Sequence, residues 1–340
     1  MPVFGSQTPS KASFINLSIS QPYFGEVSSW IRRRIWRGLV FGGVSIAFRN
    51  GDIVDIYQVG FYLVLITVLK ILWSVASALY VYTHLSHIPM KVQIIPVQGI
   101  PMVKKEDDLA LLIHDSMTKW GVPLRSGDII VLSHVIVSKA EGNLVDLRNV
   151  EPSASAFNFG AYTGKDPRLV EVILREARAI RRMGPGVLVT ETRQGFVCAN
   201  SGVDKSNVSN NEVVAPLPKD PDRSAKTIRD RFRELSGLDV AVIICDTHGR
   251  AHRDGEVNVA VGSSGLMVIR DRRGEKDLFG YELQVKRTAV ADELAAAAEL
   301  VIGQADEGIP AAVIRGYKYE KSDDSKATEL VRPRSLDLFI

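Results

Sequence analysis

Apolar and polar positions divide the chain into three stretches of different character. Residues 1–30 are rich in Ser, Pro and Gly and hold no sustained period, which predicts a poorly ordered start. The run "VGFYLVLITVLKILWSVASALYVYTHL" (59–85) stays apolar for longer than the ~20 residues that cross a bilayer, and it predicts one long apolar helix. From Met90 onward, short apolar runs alternate with segments of helical period, the pattern of a soluble α/β domain.

Within that domain "KVQIIPV" reads as a strand closed by "QGIP", and "DDLALLIHDSMTKW" (107–120) as an amphipathic helix. "GDIIVLSHVIVSKAEG" (127–142) reads as one long strand ending in polar residues. "PRLVEVILREARAIRRM" (167–183) reads as a helix that opens on Pro and closes near Gly184. "GVLVTET", "GFVCAN", "DVAVIICDTHGR" and "VNVAVGSSGLMVI" add strands, and "VADELAAAAELVIG" (290–303) an Ala-rich helix. The expected fold class is α/β, of mixed α+β type, over residues 90–340, with an N-terminal extension over 1–89.

Composition removes several function classes. Lys and Arg (42) nearly match Asp and Glu (39), so a net charge of +3 leaves no basic footprint for nucleic acid. The two cysteines, Cys198 and Cys245, lie far apart without CxxC spacing and read as reduced core thiols of a cytoplasmic protein. That count excludes a disulfide framework and a structural zinc module.

The extension poses a separate question. Lys70 in the middle of its apolar run costs ~2.5–3.5 kcal/mol on insertion scales, which the surrounding Leu, Ile, Val and Trp can offset. Arg32, Arg33, Arg34 and Arg37 favour the cytoplasm for the N-terminal side, so a single span would set residues after 85 outside. A membrane contact through residues 59–85, soluble packing, and translation starting at Met90 are the three open readings.

Candidate chemistry gathers where strands run out. In "CANSGVDKSNV" (198–208), Asp204 and Asn207 can face one site as hard oxygen donors, or cap their own turn. In "VAVIICDTHGR" (240–250), Asp246 and Thr247 stand at the expected carboxyl end of a buried strand. Lys139 in "IVSKAEG" offers a point charge to a phosphate, and "IGQADEGIP" (302–310) brings Gln304 in a glycine-rich acidic loop. "GAYTGKD" lacks the spacing of a phosphate loop, Gly249 argues against a helical zinc pair of His248 and His252, and neither a nucleophile elbow nor a GxGxxG fingerprint is present.

Taken in order, "VQIIPVQGIP", "GDIIVLSHVIVSKAEG", "GKDPRLVEVILRE", "TRQGFVCANSGVDKSNV", "VAVIICDTHGR", "DLFGYEL", "ADELAAAAELV" and "ATELVRPRSLDLF" closely resemble the coenzyme F-420 gamma-glutamyl ligase family over residues 90–340. The resemblance implies a family-specific mixed α/β fold and a butterfly-like homodimer. It also implies GTP-dependent addition of L-glutamate to coenzyme F-420-0 through an acyl phosphate, first on the lactyl carboxylate and then gamma-linked.

By the same resemblance, Lys139, Asp204 and Asp246 would be catalytic. Asp204 and Asp246 would hold a first divalent cation, Mn²⁺ or Mg²⁺, and Thr247 and Gln304 a second, with K⁺ as a further cation. The turn Ile100, Pro101, Met102, Val103, together with His134, Val135, Lys139, Asn207 and Gln304, would contact GTP. His134, Val135, His248 and His252 stand where other side chains are usual in the family. Two further readings follow: a related ligase joining a different carboxylate or amino acid, and a catalytically silent, membrane-tethered protein that binds nucleotide or deazaflavin.

Overall fold

The computed structural model describes residues 65–74, 91–208 and 210–337. The chain divides into two compact units, Met1–His87 and Ile88–Ile340. In the first, residues 65–74 form an exposed helix. Among the described residues no helix is long and apolar enough to cross a membrane. Of the long helix expected over 59–85, residues 65–74 are described, and they are helical. The rest of that run, the arginine cluster and the stretch 1–30 lie outside the described residues.

The second unit is built on a five-stranded sheet in the order β1, β12, β2, β8, β9. These are β1 (Gln93–Pro96), β2 (Ile129–Ser133), β8 (Ala241–Arg250), β9 (Arg253–Ser264) and β12 (Ala311–Arg315). Only β2 and β8 run parallel. Their central residues, Ile129 to Leu132 and Ala241 to Ile244, are fully buried, which explains why both read as unbroken apolar runs rather than alternating ones.

Three helices flank this sheet: α1 (Leu109–Lys119), α5 (Pro221–Ser236) and α6 (Val290–Ile302). Helix α5 has Asp220 as its N-cap and Pro221 in its first turn, and it ends on Gly237 in the left-handed conformation. It buries Ala225, Ile228 and Phe232 at helical spacing.

A smaller lobe joins helices α3 (Ala154–Thr163) and α4 (Pro167–Glu176) to the antiparallel sheet β4 (Ala177–Gly184), β5 (Val187–Thr192) and β6 (Val197–Ala199). It has its own core of Leu147, Val170, Ile173, Leu188 and Val214. Two-residue strands β3 (Val145–Asp146) and β7 (Val213–Val214) pair beside it, and β10 (Ile269–Asp271) with β11 (Arg287–Ala289) makes a short ribbon.

The expected helices 107–120 and 290–303 form nearly as predicted, and three readings are corrected. The run 127–142 is not one strand: β2 stops at Ser133 and helix α2 (His134–Ala140) follows. Residues 134–138 are buried on every side, so no period distinguished helix from strand. Lys139 accordingly lies in the last helical turn, not at a strand end. The helix expected over 167–183 stops at Glu176, because its apolar stripe ends with Ile173. From Ala177 burial alternates, and Arg178 and Arg181 both pair with the buried Glu191 of the neighbouring strand. Finally, β8 does not end at Asp246 but continues to Arg250 in a hairpin with β9.

One buried ion pair ties two strands of the main sheet. Arg315 at the end of β12 donates from Nε and Nη2 to Asp128, 2.8 and 2.6 Å away, beside the cross-strand pair Ile314 and Ile129. The Asp128 side chain is 2% exposed and also accepts from the Arg125 amide at 2.8 Å. Asp128→Ala strands the guanidinium without its partner and should lower stability by about 3–5 kcal/mol, as removing one member of a buried pair does. Urea unfolding with an unchanged slope checks this; a shift in midpoint worth less than ~1 kcal/mol would show that the pair is not held as described.

Candidate active site

Strands β2 and β8 run side by side with Ser133 opposite Cys245, and there they part. Ser133 caps α2, its hydroxyl 3.4 Å from the Val135 amide, while β8 bulges between Ile244 and Cys245 and goes on. The parting opens a cleft of about 600 Å³ at the carboxyl ends of the parallel pair, the position at which open α/β sheets hold ligands.

Three loops wall it. The turn Ile100–Val103 contributes the 77% exposed Met102 and the buried Val103. The segment after α6 begins at Gly303, whose φ of 70° is one that L side chains rarely adopt. The third wall follows β6, where Asn200, Ser201 and Gly202 have φ of 53°, 55° and 67° in succession. Two non-glycine residues in the left-handed region are a strained arrangement. At Gly202 a Cβ would stand 2.7 Å from Leu217 Cγ. This turn delivers Asp204 to the cleft, where its backbone pairs with Ala215 in both directions, at 2.9 and 2.8 Å.

Every residue named from the sequence for nucleotide or cation contact lines this one cleft: Ile100 to Val103, His134, Val135, Lys139, Asp204, Asn207, Asp246, Thr247 and Gln304. Lys139 Nζ donates to the Asn207 carbonyl at 2.5 Å, and burial pushes the lysine's pKa down. Asp204 accepts from the Ser206 amide (2.6 Å) and hydroxyl (2.8 Å). Val135 brings only an aliphatic side chain. His248 and His252 are not in the lining: His248 packs behind Asp246, and His252 sits in the turn of the β8–β9 hairpin with φ of 61°.

Asp246 is the most constrained of these groups. Its Oδ1 accepts from the Thr247 amide at 2.8 Å and lies 3.3 Å from His134 Nε2; its Oδ2 lies 3.0 Å from His248 Nε2. The contact with His134 is in ion-pair range without hydrogen-bond alignment, so neither His134 nitrogen has an aligned partner among the described residues. Burial pushes the Asp246 carboxyl up, but the two imidazoles outweigh it and hold the group well below the usual carboxylate range. Burial also disfavours the His248 cation, yet Asp246 and Cys198 raise its pKa to about 10.

Sequence reasoning missed one hub. Asn258 on β9 pairs with Thr247 across the hairpin, and its Oδ1 accepts from Thr247 Oγ1 at 2.8 Å and Gln304 Nε2 at 3.5 Å. Glu299 of α6 fixes Asn258 in turn by accepting from its amide at 2.6 Å. Only the β8–β9 register reveals this role; "EVNVAV" by itself reads as strand.

The donor set suits hard cations. Asp204, Asp246, the Thr247 hydroxyl and the Gln304 amide are all oxygen-bearing, and Asn200 Oδ1 is buried at the cleft without a hydrogen-bond partner. The described lining carries four carboxylates, from Asp204, Asp246, Glu256 and Glu307, against one lysine.

Comparison with known proteins identifies the family. Residues 99–316 match the family model described as F420-0:Gamma-glutamyl ligase. The chain is 51% identical over 251 residues to the "Coenzyme F420:L-glutamate ligase" of Methanothermobacter thermautotrophicus, covering 74% of this chain and 99% of that protein. It is 50% identical over 249 residues to the protein of the same name from Methanopyrus kandleri (72% and 96% covered), and 47% over 217 residues to that of Methanocaldococcus jannaschii (64% and 86%). With the family matched across most of the second unit and the matched motifs converging on one cleft, this chain belongs to the F420-0:gamma-glutamyl ligase family.

Proposed function

We propose that the chain is a GTP-dependent ligase that joins L-glutamate to coenzyme F-420-0. The observation that carries the mechanism is the charge of the cleft, four carboxylates facing a single lysine. A triphosphate enters such a lining only together with cations, and the same oxygen donors supply their seats.

In this reading Asp204 and Asp246 hold a first divalent cation, Mn²⁺ or Mg²⁺, and Thr247 and Gln304 a second, with K⁺ nearby. When bound, these ions neutralise the phosphate oxygens and polarise the phosphorus under attack. The chain's own groups do the positioning. Lys139 and the Asn207 segment, which it already grips, steady the nucleotide phosphates, and the Ile100–Val103 turn covers its base side. His134 and Val135 shape the floor, where Val135 gives no side-chain hydrogen bond.

The substrate carboxylate attacks the γ-phosphorus, the bond to the GDP oxygen breaks, and an acyl phosphate results. The amine of L-glutamate then attacks the acyl carbon; phosphate leaves, the amine loses a proton, and an amide forms. A second glutamate joins through the gamma-carboxyl of the first by the same steps. A cytoplasmic homodimer belongs to the same reading.

The deciding assay combines the full chain with GTP, Mn²⁺, L-glutamate and F-420-0 and reads product masses. Masses higher by one and two glutamyl units, with equivalent GDP formed, are expected. GDP release without a glutamyl product would reassign the acceptor, and no turnover at all would sink the reading. Asp204→Asn and Asp246→Asn should each lose at least ~100-fold in turnover while retaining the circular dichroism of the parent.

Asn258→Ala tests the hub separately. It leaves the oxygen donors in place but unfixed, so the Mn²⁺ concentration for half-maximal rate should rise ~10–100-fold, with much of the rate recovered at saturating metal. An unchanged Mn²⁺ dependence would mean that Thr247 and Gln304 are not cation ligands.

A further inference from the structure

A second donor set, soft where the cleft's is hard, lies directly behind Asp246. Cys198 on β6 and His248 on β8 present their sulfur and ring nitrogen to the Asp246 carboxylate, and the three ligand atoms lie within 4.8 Å of one another. Two ligands on one tetrahedral zinc stand about 3.3–3.7 Å apart, so convergence on a shared ion needs only small side-chain movements. Cys198 and His248 are 5% and 9% exposed, and His248 Nε2 lies 3.0 Å from Asp246 Oδ2. None of the cleft's assigned contacts uses the Cys198 sulfur or the His248 ring.

We propose that Cys198, His248 and Asp246 form a thiolate–imidazole–carboxylate site for a soft tetrahedral cation, Zn²⁺ by preference, and that filling it withdraws Asp246 from the hard cations of the cleft. One sulfur, one nitrogen and one oxygen ligand with a fourth position for water is a three-ligand zinc pattern. Thiolate and imidazole select Zn²⁺ over Mg²⁺ or Mn²⁺. On coordination the Cys198 S–H bond is replaced by a sulfur–metal bond and its proton passes to solvent. Counting cysteines excluded zinc because it looked for local pairs; β6 and β8 bring together ligands remote in sequence. The site itself stands on this geometry, whereas the antagonism also rests on the ligase reading.

The test uses the purified, metal-free full chain. Titration with Co²⁺ should give one equivalent of tetrahedral cobalt with a thiolate charge-transfer band, and one equivalent of Zn²⁺ should abolish it. Cys198→Ser should lose the band and Cys245→Ser keep it. In case a variant does not fold, X-ray absorption of the zinc-loaded parent protein decides alone: one sulfur among nitrogen and oxygen scatterers supports the site, and no sulfur overturns it. A band that survives in Cys198→Ser, or vanishes in Cys245→Ser, also overturns it.

For the antagonism, Zn²⁺ should inhibit Mn²⁺-supported glutamyl transfer, with at least ~10-fold more Zn²⁺ needed in Cys198→Ser. Equal inhibition of both proteins would overturn the antagonism even with the band present. A protein with no ligase activity but a thiolate–cobalt band would refute the ligase reading and leave the metal site standing.

Discussion

The pairing of Ser133 with Cys245 in the parallel strands β2 and β8 is the constraint on which the site depends. It sets the first residue of α2, His134, against Asp246, the residue after Cys245, because one strand turns into a helix there while the other runs on. A slip of one residue would send Asp246 to the opposite face of the sheet, away from the cleft. The slip is resisted by seven fully buried Ile, Val and Leu residues in the two strands, whose burial is worth roughly 1.5–3 kcal/mol each. The hydrophobic core thus fixes the position of a carboxylate that it could not itself solvate. The adjoining imidazoles then keep that carboxylate ionised inside the protein.

Where the sequence was legible, one physical signal dominated. Helix α1 declares itself by its stripe of Leu109, Ile113 and Met117, and β2 and β8 by apolar runs that only a sheet covered on both faces requires. The boundary at Ser133 was hidden because uniform burial erases period. The boundary at Glu176 was hidden because Pro167 announces a helix but nothing local announces that Glu191 will draw in Arg178 and Arg181. The cleft followed a similar rule. Lys139, Asp204, Asn207, Asp246, Thr247 and Gln304 were visible as polar residues where apolar runs give out, and the family resemblance added the Ile100–Val103 turn, His134 and Val135. Asn258, Glu299 and Cys198 acquire their roles only through pairing of distant segments, which no window along the chain contains.

Strain is concentrated on the wall that belongs to the smaller lobe. Asn200 and Ser201 hold left-handed backbone, and Ser201 is locked there by hydrogen bonds to Thr190 at 2.7 Å and to the Ile173 carbonyl at 3.0 Å. The lobe's core therefore holds a conformation that the residues would not adopt alone, at a cost of order 1–3 kcal/mol for each. What this achieves is visible three residues on: Asp204 is presented to the cleft with its backbone already paired. The smaller lobe, rather than the main sheet, aims one of the two aspartates.

Asp246 stands at a boundary between two kinds of coordination chemistry. Facing the cleft it joins the oxygen donors of Asp204, Thr247 and Gln304, a set whose chemistry favours hard cations such as Mg²⁺ or Mn²⁺. Facing β6 it meets a thiol and an imidazole, donors that favour the metals with the highest intrinsic affinities for nitrogen and sulfur. Affinity alone would give the carboxylate to the softer ion. What opposes this is the charged form of His248, which the Asp246 carboxylate 3.0 Å away favours and which must lose a proton before the ring can bind a metal. The contact between Asp246 and His248 thus opposes metal entry as well as supplying two of the ligands that the proposed site needs.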